Sequence, residues 1–176
     1  MRPTPTGSFV DAENGFVRRE AFTSDDVYRT ELDQIFDRSW IYLGHESEIP
    51  APGDYVTRRL GSAPVIVVRT DDGEVRALLN SCRHRGTKLC RGDAGRATNF
   101  VCPYHGWSYR NNGELVTTTF NDHFPENTDF SQFNLVPVPR LERRYGMIFG
   151  CWDSGVISLD EYLGDVSWYL KSFFDR

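Results

Sequence analysis

The apolar positions of this chain change period twice. Between positions 25 and 40, Val27, Tyr28, Leu32, Ile35, Phe36 and Trp40 recur at roughly helical spacing. Just ahead of them, Thr23-Ser24-Asp25-Asp26 offers a capping hydroxyl and first-turn acids. The spacing predicts a helix whose apolar stripe faces a core. From Trp40 the period shortens, and strands are expected over 40–44, 54–60, 65–70, 74–80, 97–102, 107–109, 114–117, 136–143 and 147–152. Asp71-Asp72-Gly73 and Asn111-Asn112-Gly113 read as hairpin turns. Many short strands at this spacing predict a mainly β fold, an antiparallel sandwich or barrel-like domain.

Helical spacing returns after Ser158, through Leu159, Tyr162, Leu163, Val166, Tyr169, Leu170, Phe173 and Phe174. It follows the capping box Ser158-Leu159-Asp160-Glu161. So many aromatic residues exceed what one short helix buries alone, and much of this surface is expected to meet another domain or subunit. Residues 9–22 have no clear period and read as extended coil. Residues 118–134, polar and interrupted by Pro125, read as a long surface loop. The expected division is an N-terminal arm and helix over 1–40, a β domain over 41–153 and a helix over 154–176.

The chemistry concentrates in 82–107. Cys82-Arg83-His84-Arg85-Gly86 is followed by Cys102-Pro103-Tyr104-His105-Gly106-Trp107, with seventeen residues between His84 and Cys102. Two thiolates and two imidazoles suit zinc or an iron–sulfur centre. Structural zinc sites usually pair like ligands, whereas here each segment brings one sulfur and one nitrogen. That suits two irons reached by both segments, Cys82 and Cys102 on one, His84 and His105 on the other. Zinc on the same four residues is the alternative. Two neutral imidazoles in place of thiolates make the ligand set less anionic and raise its potential. Gly86 and Gly106 permit close backbone approach to cluster sulfurs, and Pro103 fixes a turn. Cys90 and Cys151 are expected as small buried residues rather than a disulfide. His45 reads as structural and His123 as a solvated loop histidine.

The pattern Cys-x-His-x₁₇-Cys-x₂-His resembles the Rieske [2Fe–2S] signature. The two fuller strings resemble those of Rieske non-haem iron oxygenases, in particular the α (large) subunits of aromatic-ring-hydroxylating dioxygenases. The resemblance implies a Rieske-type antiparallel β-sandwich with cluster-binding loops at one tip, plus N-terminal and C-terminal helices. It implies a [2Fe–2S] cluster on Cys82, His84, Cys102 and His105. A ferredoxin or reductase would reduce it, and the electron would pass by way of His105 to a mononuclear iron in a neighbouring α subunit. The outcome is dihydroxylation of aromatic compounds with O₂, with β subunits as candidate further partners.

That mononuclear Fe(II) needs two histidines and a carboxylate. Only His45 and His123 remain, in different segments, so its catalytic domain is expected outside this chain and no catalytic residue is assigned. Residues 159–170 resemble the junction to that domain. In the high-potential Rieske proteins of respiratory complexes, a paired cysteine stands at each of the positions matching Thr87 and Tyr104. A serine donor matches Trp107, and their tyrosine matches Tyr109. Fewer donors imply a potential low in the Rieske range. A free-standing Rieske ferredoxin, acting only as a carrier, is the alternative function. The two terminal helices and the Arg83/Arg85 pair favour the oxygenase component.

Composition narrows the partners. With 39% hydrophobic residues the chain can build a core, and its net charge of −5 argues against nucleic acid. No apolar run is long enough to span a bilayer, and the N-terminus lacks a signal-like apolar region, so a cytoplasmic location is expected. Arg83, Arg85, Lys88 and Arg91 put positive charge near the metal-binding strings. They have three readings: steering an acidic donor, bonding an adjoining domain, or a solvated face. Arg83 and Arg85, inside the motif, favour a structural contact.

Overall fold

The computed structural model describes residues 8–119 and 124–174. It begins with a two-residue antiparallel pairing of β1 (Val10–Asp11) and β2 (Phe16–Val17), then α1 (Glu20–Thr23). The stretch expected as coil is therefore partly ordered, because Asp11 nucleates a turn: its carboxylate accepts from Asn14 N at 3.1 Å and its carbonyl from Gly15 N at 2.9 Å.

In α2 (Asp25–Glu31) the Ser24 hydroxyl accepts from Val27 N, as its capping sequence predicts. Over Leu32–Phe36 the helix widens, with Asp37 N bonding Leu32 O at 2.9 Å, an i→i+5 bond. The expectation of a core-facing stripe fails in its middle. Val27 and Trp40 are buried, but Tyr28, Ile35 and Phe36 are 56%, 51% and 39% exposed. Periodicity reports an apolar face and does not supply the surface that covers it.

The body follows as β3 (Ile41–His45), β4 (Asp54–Leu60), β5 (Ala63–Arg69), β6 (Val75–Leu79) and β7 (Ala94–Arg96). It continues with β8 (Asn99–Val101), β9 (Ser108–Arg110), β10 (Leu115–Thr117), β11 (Arg140–Arg144) and β12 (Met147–Cys151). A central antiparallel sheet has the order β6-β5-β4-β7. On one side lies the sheet β11-β12-β3, and on the other β10-β9-β8. β5 shows why. Val65, Ile66, Val67 and Val68 are all fully buried, with alternate residues serving opposite layers. Val65 and Val67 pack with Leu43, Leu60 and Ile148, whereas Ile66 and Val68 pack with Cys82, Cys102, Trp107 and Tyr109.

Three elements differ from the sequence reading for identifiable reasons. The strand expected over 136–143 starts only at Arg140, since Pro137 and Pro139 have no N–H for a ladder. Pro137 makes only an isolated bridge to Leu78. β7 was not expected, because Ala94-Gly95-Arg96 carries no apolar alternation. The C-terminal helix is two helices, α3 (Leu159–Leu163) and α4 (Val166–Phe174), broken at Gly164 with φ 48°. The Ser158/Glu161 capping box is present. Leu159 packs against Trp40 and Cys151, and Trp40 Nε1 donates to Ile157 O at 2.9 Å, tying α3 to the body. On α4 and its approach, Tyr162, Val166, Trp168, Tyr169, Phe173 and Phe174 stay exposed. Among the described residues no helix is long and apolar enough to cross a membrane.

Candidate metal centre

Both Cys/His strings fall on loops at one end of the central layers. The first links β6 to β7, the second β8 to β9. Their backbones follow one plan. In the first, Gly86 N donates to Cys82 O at 2.8 Å and Cys82 N to Thr87 O at 2.8 Å. In the second, Gly106 N donates to Cys102 O at 2.9 Å and Cys102 N to Trp107 O at 2.7 Å. Each turn closes through a glycine at φ 74° and 73°, where an L side chain would be strained.

This plan sorts the donors by depth. Cys82 and Cys102 are each 3% exposed, while His84 is exposed and His105 half-buried. The imidazoles meet at 4.7 Å between centroids. His84 lies parallel to Trp107, and Tyr104 stacks on His105 at 3.8 Å. His105 Nδ1 is buried with no hydrogen-bond partner. Burial, then the neighbouring His105 and Arg85, lowers the His84 pKa and favours the neutral imidazole a metal requires. Burial pushes the Cys82 thiol up, with a further push from Cys102. A bound cation removes the cost of two adjacent buried thiolates.

Tyr109 is fully buried beneath the first loop. Burial, reinforced by Cys82, pushes its phenol up, so it keeps its proton. The Tyr109 oxygen accepts from Arg83 N at 3.1 Å and lies 3.3 Å from Cys82 Sγ. Its single O–H is thereby free for the sulfur, and towards a thiolate it can only donate.

The donor set fits a two-iron centre: two sulfurs inside, two imidazoles outside, one orphaned ring nitrogen. Among the described residues no three His, Cys, Asp or Glu side chains gather around a single ion.

The Rieske [2Fe-2S] domain family matches residues 39–133, more than half of the chain. The chain belongs to the Rieske [2Fe-2S] domain family. Its relatives carry Rieske domains on longer chains. The large oxygenase component of the naphthalene 1,2-dioxygenase system of Pseudomonas aeruginosa is 44% identical over 165 residues, covering 93% of this chain and 37% of that one. The N,N-dimethyl phenylurea N-demethylase subunit alpha of a Sphingobium species is 42% identical, covering 91% and 35%. The solved naphthalene 1,2-dioxygenase from Rhodococcus sp. with indole bound superposes with a TM-score of 0.82 at 44% identity, over 86% of this chain and 34% of that one. The chain thus spans little more than a third of the length of these relatives.

Sequence reasoning missed two features of this Rieske centre. Phe124, Phe130 and Phe133, in a stretch expected as plain surface loop, form an aromatic cluster against Trp107. A cavity of about 460 Å³ lies among Arg83, His84, His105, Trp107, Thr119, Phe124 and Phe133. The Phe130/Phe133 spacing was the available signal. The second is Asn80, a buried polar residue at the foot of the first loop. The structural readings of the other residues hold where they are described. His45 Nδ1 bonds Ser47 Oγ at 2.8 Å, and Cys90 and Cys151 are buried and free. His123 lies outside the described residues.

Proposed function

We propose that Cys82 and Cys102 hold one iron and His84 and His105 the other iron of a [2Fe–2S] cluster. In this reading the chain is the electron-transfer part of an aromatic-ring-hydroxylating dioxygenase α subunit. The observation that carries it is the sorting by depth, with buried sulfurs, an exposed His84 and a half-buried His105 whose buried Nδ1 lacks a hydrogen-bond partner among the described residues. When bound, the cluster supplies a one-electron couple. The chain's own residues do the rest. The Tyr109 hydroxyl donates towards Cys82 Sγ and favours the more negative state. Trp107, Phe124 and Phe133 exclude water from one side of His84. His105, with Tyr104 stacked on it, presents the outer imidazole edge to a partner.

The partners follow from the surface. Arg85, Lys88 and Arg91 are exposed and form no ion pair with a carboxylate among the described residues, in a chain of net charge −5. This supports docking of an acidic ferredoxin or reductase at the loops, steered by charge. The exposed aromatic residues of α4 support contact with a further domain or neighbouring subunit, which would hold the mononuclear iron and bind the aromatic compound. The N-demethylase relative shares this part of the chain, so the electron-carrying part alone does not select the reaction. By itself the chain is expected to carry electrons in the cytoplasm and oxygenate nothing.

Anaerobic reconstitution tests the reading. Mössbauer spectra should show two inequivalent irons, and the reduced state should show nitrogen coupling from two imidazoles. Colourless protein, or zinc as the only metal, would overturn it. Electron uptake from an acidic donor should slow as salt is raised.

A further inference from the structure

The two loops share a backbone plan but are anchored differently at their bases. The second leaves and returns on paired strands, with Val101 of β8 opposite Ser108 of β9. The first leaves from β6 and returns through residues 88–91, which belong to no strand. One side chain closes it instead. Asn80 Oδ1 accepts from Leu89 N at 3.0 Å and from Cys90 N at 2.9 Å, and its Nδ2 donates to Cys90 O at 2.8 Å. Its own backbone N–H donates to Pro64 O at 2.9 Å, which fixes it to β5. Asn80 is 1% exposed, so water cannot replace these bonds.

We propose that Asn80 is a positioning residue, whose carboxamide substitutes for the missing strand partner and sets where the first loop presents Cys82 and His84. The inference rests on the ligand reading above. Asn80 acts through the loop backbone: its three bonds hold the returning limb in register with the departing one. The carboxamide has the required mixture of one acceptor oxygen and one donor nitrogen. Aspartate keeps the acceptor but loses the donor, and alanine leaves two buried N–H groups and a carbonyl unpaired.

The test compares Asn80→Ala and Asn80→Asp with Asn111→Ala. Asn111 is also buried, but it donates to Asp71 at 2.8 Å in a hairpin turn rather than to either metal-binding loop. Three readouts are taken: amide hydrogen exchange at Leu89 and Cys90, bleaching of the reconstituted cluster by a chelator, and its midpoint potential. Asn80→Ala should lose protection at both amides, bleach about tenfold faster and shift in potential. Asn80→Asp should recover part of the protection and part of the bleaching lifetime. Asn111→Ala, even if comparably destabilised, should keep wild-type protection, bleaching and potential. Wild-type readouts in Asn80→Ala, or equal acceleration in Asn111→Ala, would overturn the proposal. If Asn80→Ala does not fold, Asn80→Asp with wild-type bleaching and potential overturns it equally. A wild-type protein that takes up no two-imidazole cluster instead sinks the ligand reading. The exchange protection of Leu89 and Cys90 still reports on Asn80 in that case.

Discussion

Trp107 lies flat against His84, the ring centroids 4.9 Å apart and the planes within 9°. The indole sits where the second loop ends, the imidazole in the middle of the first. The stack therefore joins the two loops by a contact that involves no metal. Phe133 meets the indole edge-on at 5.7 Å and completes the support.

Trp107 is buried, so replacing it with alanine should cost about 3–5 kcal/mol. The loss is read as a lower urea midpoint by far-UV circular dichroism under anaerobic conditions. Trp107→Phe keeps a ring against His84 and should lose clearly less. Equal losses in the two variants would show that indole volume matters and stacking does not.

The Tyr109 hydroxyl is positioned to donate to Cys82 Sγ, and a donor to sulfur favours the more electron-rich state. Tyr109→Phe should therefore lower the midpoint potential, by roughly 40 mV for a difference of about 1 kcal/mol between oxidation states. With Trp107 at the position of the serine donor, and Thr87 and Tyr104 at the positions of the paired cysteines, of the high-potential Rieske proteins, the wild-type midpoint should fall low in the range of about −150 to +300 mV. Protein-film voltammetry measures both.

Acid should weaken the fold at a defined ion-pair network. Burial raises the Glu46 carboxyl, but hydrogen bonds from Arg143 at 2.8 Å and Arg69 at 3.2 Å outweigh it, and its pKa lies below the ordinary value of 4.5. The unfolded state then binds the proton more tightly than the folded state. The stabilisation is present in full above about pH 4.5 and is lost as pH falls through the lower folded value. Urea midpoints followed from pH 7 to pH 3 should fall more steeply for the wild type than for Glu46→Gln. Parallel curves would remove Glu46 from the account.

Tyr145 turns the β11–β12 hairpin at φ 52°, a left-handed conformation that costs a tyrosine more than an asparagine. Gly146, at φ 77°, is the second residue of the same tight turn. Tyr145→Asn should raise stability by up to about 1 kcal/mol, reduced by loss of the 3.4 Å contact with Ser167 on α4. The denaturant midpoint checks the sign. A fall would mean that this contact outweighs the backbone strain.

Local chemistry was open to inspection in the sequence. The cysteine and histidine pairs of the two loops, the glycines that close both loops, the Ser24 and Ser158 caps and the hairpin turns each depend on residues a few positions apart. Such short-range steric and hydrogen-bonding preferences are written directly into adjacent side chains. Only the tertiary structure decided which apolar faces are covered. The run Val65 to Val68 had no alternation to read, because both sides of β5 are buried, and the exposed Ile35 and Phe36 looked like core. The same holds for Asn80 reaching Cys90 and for Phe133 reaching Trp107. Those contacts join positions that chain folding alone brings together, so a local signal such as the Phe130/Phe133 spacing marks an apolar face without naming its partner.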